Sequence, residues 1–154
     1  MKNPLLSANT RAGFDKFYAG ELGQCLMAKT HLIKAVYSFA VDGGSVSAIN
    51  LNDVYGNEIK IPSGAIVKSV IIDRATACTS AGGNGTVALS INSANDLLSA
   101  VDADTLSAIH AGVPISTAST VVKATADRKL VLTIGTEALT AGVLNIYLEI
   151  FHVA

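Results

Sequence analysis

Alternation of apolar and polar residues is clearest at the C-terminal end of the chain. Leu144, Ile146, Leu148 and Ile150 share one parity, and Asn145, Tyr147, Glu149 and Phe151 share the other. That period of two is the signature of a half-buried strand. Val87, Leu89 and Ile91 alternate with small or polar residues in the same way, and so do Leu130, Leu132 and Ile134. Residues 66–77, "IVKSVIIDRATA", read as a long strand with Ile66, Val70 and Ile72 on one face. Lys68 shares that parity, which places it near a strand end or a sheet edge.

Between these runs lie turn signals. "YSFAVDGGSVSAINL", residues 37–51, reads as strand, tight turn, strand, because the glycines of Asp42-Gly43-Gly44 accept positive φ without steric cost. Pro62-Ser63-Gly64 breaks another run, and "TSAGGNG", 79–85, reads as a surface loop. Residues 96–117 are less regular. "DLLSAV" suits a short strand, and "DADTLSAI" suits one helical turn capped by Asp102 or Asp104. The stretch 102–117 is expected to be a long loop. Roughly eight strands at short spacing, with no long amphipathic helix between them, predict an all-β fold. The expected architecture is an antiparallel two-sheet β-sandwich, jelly-roll-like, over 32–154.

Residues 1–31 differ in texture. Phe14, Phe17, Tyr18, Leu22 and Cys25 recur near a helical period, predicting an extended arm or short helix. Two readings stay open: the segment packs on its own domain, or it docks on a neighbouring subunit or partner.

Composition adds what the pattern does not. Of 154 residues, 50% are hydrophobic and 15% charged, with a net charge of −1. Typical globular chains carry about 25% charged residues, so part of this surface is expected to meet protein. No basic cluster marks a nucleic-acid partner. No apolar run approaches the roughly 20 residues of a membrane helix, and the opening lacks the apolar region of a signal peptide.

Candidate chemistry is sparse, and no catalytic, cofactor or metal site is expected. Gly83–Ala88 spells a dinucleotide fingerprint, yet strand formers follow it where a helix is required. Asp102 and Asp104 lack the remaining calcium-loop ligands, with Ser107 standing where the glycine should be. Asn50, Asn52, Asp53, Asn57 and Glu58 are ordinary turn material. His31, His110 and His152 form no ligand spacing, and Cys25 and Cys78 read as buried thiols. Few aromatic platforms for sugars exist, Tyr37, Tyr55 and Tyr147 being the candidates. Tyr147 and Phe151, outward on the last strand, suit a subunit interface; the other reading is that a second sheet or the N-terminal arm covers them.

Four stretches carry a resemblance in order. They are Val41-Asp42-Gly43-Gly44; Pro62 to Val67; Thr86 to Leu89 with Ser93 to Asp96; and Ala138 to Gly142 ahead of the apolar strand. Over roughly residues 36–151 the chain resembles a group of small tailed-bacteriophage virion structural proteins, capsid decoration or cement proteins among them. The resemblance implies a β-sandwich on the outer capsid surface of the virion. It implies a homo-oligomer, expected to be a trimer, that binds the major capsid protein and stabilises the shell without catalysis or cofactor. The alternative it leaves is a head-fibre or tail-associated module binding host-surface glycan. The chain departs from the group in residues 1–31 and 53–58. Leu5, Leu6, Phe14, Phe17 and Tyr18 are then candidate capsid or inter-subunit anchors.

Overall fold

The structure is a computed structural model that describes residues 29–115 and 121–152. The candidate anchors Leu5, Leu6, Phe14, Phe17 and Tyr18, and Cys25 with them, lie outside the described residues. Two antiparallel sheets face each other. The first contains, in spatial order, β1 (Lys29–Ser38), β11 (Leu139–His152), β4 (Ile66–Ser80) and β7 (Ile109–Gly112), with β8 (Val122–Lys123) also paired to β4. The second contains β2 (Ala48–Asn50), β10 (Val131–Gly135), β5 (Thr86–Ser90) and β6 (Leu98–Asp102). A two-stranded ribbon, β3 (Lys60–Ile61) with β9 (Arg128–Lys129), completes the all-β sandwich.

The alternating strands behave as their pattern demands. Leu144, Ile146, Leu148 and Ile150 turn inward and are buried, against Val87, Leu89, Leu132 and Ile134 from the opposite sheet. Burial of each such side chain stabilises by about 1.5–3 kcal/mol. Tyr37 is also fully buried, and it keeps its hydroxyl satisfied by donating to the Gly43 carbonyl at 2.8 Å. Burial pushes its pKa up to about 12.

Residues 37–51 are not a hairpin. β1 and β2 belong to different sheets, and Phe39–Asp42 form a single helical turn, α1, between them. Asp42 Oδ2 accepts the Ser38 N–H at 2.8 Å, and the Leu139 N–H donates to Gly44 O at 2.8 Å. A Cβ at Gly44 would run into the Leu139 carbonyl. The glycine is therefore required by a close strand crossing at a corner between sheets, rather than by a two-residue turn.

The long strand β4 also departs from simple alternation. Val67, Val70 and Ile72 are buried, while Ile66 is half-buried and Lys68 exposed. Ser69 pairs with Glu149 and Val67 with Ile150, so Lys68 is the extra residue of a β-bulge. The bulge shifts the parity by one and puts Lys68 near the strand's start, on the outside.

Within 96–117 the expected loop contains β7, which joins the edge of the first sheet beside β4. No helical turn forms at 102–108. Asp102 Oδ1 accepts from the Asp104 N–H at 2.8 Å and the Thr105 N–H at 3.3 Å, a carboxylate-capped turn with no helix after it. Ser93 to Asp96 have a clear physical role. The buried Asp96 carboxylate accepts N–H groups from Ile91, Asn92 and Ser93 at 2.9, 2.9 and 3.1 Å. Asn92 Nδ2 in turn donates to Lys123 O at 2.7 Å, tying the two sheets together at this corner.

Candidate functional site

The outward face of the first sheet is the most developed surface among the described residues. Register aligns its side chains in rows. Lys34, Tyr147, Ile71 and Ala111 form one row; Val36, Asn145, Asp73 and Ile109 form the next; Leu32, Glu149 and Ser69 form a third. Leu32 is 71% exposed, Ile109 63% and Ile71 44%. Ile71 and Ile109 are diagonal neighbours on β4 and β7, and Leu32 stands on the opposite edge strand with Glu149 between, so the face mixes exposed apolar side chains with polar ones.

The polar residues of this face are tied to one another. Lys68 Nζ lies 3.3 Å from Glu149 Oε1 and 5.5 Å from the centroid of the Phe151 ring. Ser69 Oγ donates to Glu149 Oε2 at 3.1 Å, and Asn145 Nδ2 to Asp73 Oδ2 at 3.1 Å. Lys34 Nζ sits 5.6 Å from the centroid of Tyr147. The β-bulge at Lys68 is what aims that lysine across the sheet at Glu149 and Phe151. The two aromatics singled out in the sequence are therefore brought to one face, both half-buried beneath lysines.

The sequence reading missed Leu32, Ile71 and Ile109. One signal was available: Val70-Ile71-Ile72 breaks strict alternation, so one of the three must face outward. The lysines above the rings had no signal, because they come from other strands.

The remaining candidates separate. Tyr37 is in the core, Tyr147 lies under Lys34, and Tyr55 is 87% exposed on the loop after β2. Asp53 caps its own turn, accepting from the Tyr55 N–H at 2.8 Å and the Asn57 N–H at 2.9 Å, and Glu58 pairs with Lys129. His31, His110 and His152 fall on β1, β7 and β11. Cys78 is a buried free thiol whose pKa burial raises. Among the described residues no three His, Cys, Asp or Glu side chains gather in a way that would hold a metal ion.

One further cluster braces the loop between β4 and β5. Glu137 Oε2 accepts from the Gly82 N–H at 2.8 Å and the Asn84 N–H at 3.3 Å. Asp104 accepts from the Ser80 N–H at 2.8 Å and the Ser80 hydroxyl at 2.7 Å. Both carboxyls are held below their ordinary range, Asp104 chiefly by the Ser80 hydroxyl and Glu137 chiefly by the Gly82 N–H. The stretch that composition marks as a surface loop is thus pinned by two acids from elsewhere in the chain.

No family model matches the chain, and no curated protein sequence matches it. Solved structures do. A chain in the acidic stable capsid structure of Helicobacter pylori bacteriophage KHP30 superposes with a TM-score of 0.57 at 14% identity, over 81% of this chain and 89% of that one. A chain of the cyanophage Pam1 capsid asymmetric unit gives a TM-score of 0.56 at 16% identity, over 80% and 84%. A chain of the capsid of Ralstonia phage GP4 gives a TM-score of 0.51 at 15% identity, over 79% and 84%. At these identities the likeness establishes the fold.

Proposed function

We propose that the chain is a structural component of a bacteriophage particle. Its niche in this reading is that of a capsid decoration or cement protein. A homotrimer on the outer capsid surface binds the major capsid protein and stabilises the shell. The observation that carries the proposal is the fold shared with chains from three phage capsids, each matched over most of its own length. Those chains are therefore close to this one in size, as expected of small accessory proteins of a shell. The ordered motifs from Val41 to Gly142 support the same reading independently.

The outward face of β1, β11, β4 and β7 is the proposed contact surface, with Tyr147 and Phe151 in the subunit interface. On its central strands the apolar side chains Tyr147, Phe151 and Ile71 are interleaved with the hydrogen-bonded polar residues Asn145, Asp73, Glu149 and Ser69, and aromatics of this kind are enriched in interface cores. The arm expected over residues 1–31, whose last three residues, Lys29 to His31, belong to β1, carries Leu5, Leu6, Phe14, Phe17 and Tyr18 as capsid or inter-subunit anchors, and 32–154 serve as the sandwich. A trimeric attachment gains avidity because its sites are linked.

Imaging the intact particle tests the whole reading: density for the sandwich is expected on the outer shell, and density confined to the tail overturns it. Deleting residues 2–22 tests the anchors, with lost particle occupancy expected and unchanged occupancy refuting them. The rival reading, a fibre or tail module for host glycan, draws on the bare ring of Tyr55. A glycan array separates the two, since a cement protein binds purified capsids and ignores sugars.

A further inference from the structure

The free edge of β1 is the feature that the proposed role leaves unused. β1 pairs with β11 in an unbroken register from Lys29↔His152 to Ser38↔Val143, so every second residue turns its backbone N–H and C=O away from β11. Val36 and Ser38 show which parity this is. The Val36 N–H goes to Asn52 O at 3.0 Å, and the Ser38 N–H to Asp42 Oδ2 at 2.8 Å. The same parity runs back through Lys34, Leu32 and Thr30, where no strand among the described residues pairs with the edge. Leu32, the most exposed apolar side chain of β1, sits in the middle of this stretch. A strand edge with open backbone groups and a bare leucine is a template for another strand.

We propose that this edge pairs with the same edge of a second copy, antiparallel, about a two-fold axis beside Leu32. The ends fix the register. Asn52 already occupies Val36, so Thr30, Leu32 and Lys34 are the residues with backbone groups to offer. One antiparallel register uses all three. It sets Leu32 against Leu32 of the partner subunit and Thr30 against Lys34 of the partner subunit. No like charges then stand opposite, because Lys34 meets a threonine and Lys29 meets an alanine, Ala35 of the partner subunit. A shift of two residues either way leaves one residue without a free counterpart. Such a contact is isologous, as a two-fold requires, and combined with a trimer it joins neighbouring trimers.

The open stretch of the edge ends at Val36, whose N–H Asn52 O already takes. There a groove of about 400 Å³ opens between Lys34, Val36, Val41, Asn52 and Val54. Val41 is 83% and Val54 54% exposed at its rim.

Because Leu32 faces its own counterpart, charge swapping reads the axis directly. Leu32→Asp and Leu32→Lys each set like charges face to face. Each is expected to halve the mass of the full-length chain measured by light scattering, with the unfolding temperature unchanged at so exposed a site. An equimolar mixture of the two variants is expected to regain the wild-type mass. A single variant that keeps the wild-type mass overturns the proposal, and is the result if the chain's own residues before Lys29 or another protein cover the edge. A mixture that fails to recover, or a wild-type assembly with an odd number of subunits, overturns it as well.

Discussion

Gly142 lies directly against Cys78: a Cβ at position 142 would come to 2.5 Å from the Cys78 Sγ and 3.0 Å from its Cα. Gly142 has φ +137°, and the β4–β11 register shifts on either side of it. This is the physical content of Ala138–Gly142, where two long strands are locked together through an irregular stretch.

Gly142→Ala therefore combines a backbone conformation that alanine resists with a contact the core cannot absorb. Strain at such a position costs of order 1–3 kcal/mol, and overpacking adds about 1–3 kcal/mol. Urea unfolding is expected to show a loss of roughly 2–4 kcal/mol, the lower part of the summed range, since the strands can give a little. Adding Cys78→Ala is expected to restore part of it, because the sulfur is the nearest atom. A Gly142→Ala variant as stable as wild type would contradict this account.

Asp96 offers a second check at the opposite corner of the sandwich. Its two oxygens take three N–H groups in a buried site, and Asn presents one oxygen and an NH₂ group there. Asp96→Asn leaves at least one donor facing a donor, which costs about 1–3 kcal/mol for each buried group unmade. The loss is expected in urea unfolding, together with faster hydrogen exchange at Ile91, Asn92 and Ser93. Unaltered exchange at those three amides would show that the carboxylate does not hold the corner.

The brace on the β4–β5 loop predicts a pH dependence with a definite sign. Asp104 and Glu137 both titrate lower in the folded chain than their ordinary values of about 4. Their contribution is therefore complete above that pH and is lost as pH falls through the lowered folded values. The unfolding temperature is expected to drop on acidification below about pH 4, and the Asp104→Asn, Glu137→Gln double variant to show a shallower drop. An identical acid limb in wild type and variant would refute the brace.

Residues with local causes were legible in the sequence, and those with tertiary causes were not. The parity of Leu144 to Phe151 predicted both faces of β11, because a strand's period needs only its own side chains. Asp42-Gly43-Gly44 signalled a turn, but whether it joins strands of one sheet or two depends on Leu139, far along the chain. Lys68 read as a charge on an apolar face, since a bulge is defined by the partner strand and leaves no mark on its own. Tyr147 and Phe151 were found as outward aromatics. The lysines over them, and Leu32 and Ile109 around them, became visible only when register set four strands side by side.

The outward position of Tyr147 and Phe151 makes the interface assignment testable without disturbing the core. Their neighbours Leu148 and Ile150 are the residues packed inside, so Tyr147→Asp with Phe151→Asp removes no buried contact between the sheets. Lys34 and Lys68 lose their ring contacts, a cost of about 0.5–1 kcal/mol each at exposed sites and too small to unfold a domain of this size. The unfolding transition measured at low protein concentration is expected to stay near wild type, while light scattering shows the mass falling to that of the pair joined through β1. Two aspartates buried in a subunit contact must be desolvated, and an interface of ordinary size does not tolerate that. A double variant that keeps the oligomeric mass would remove this face from the interface and move the search to the remaining surface.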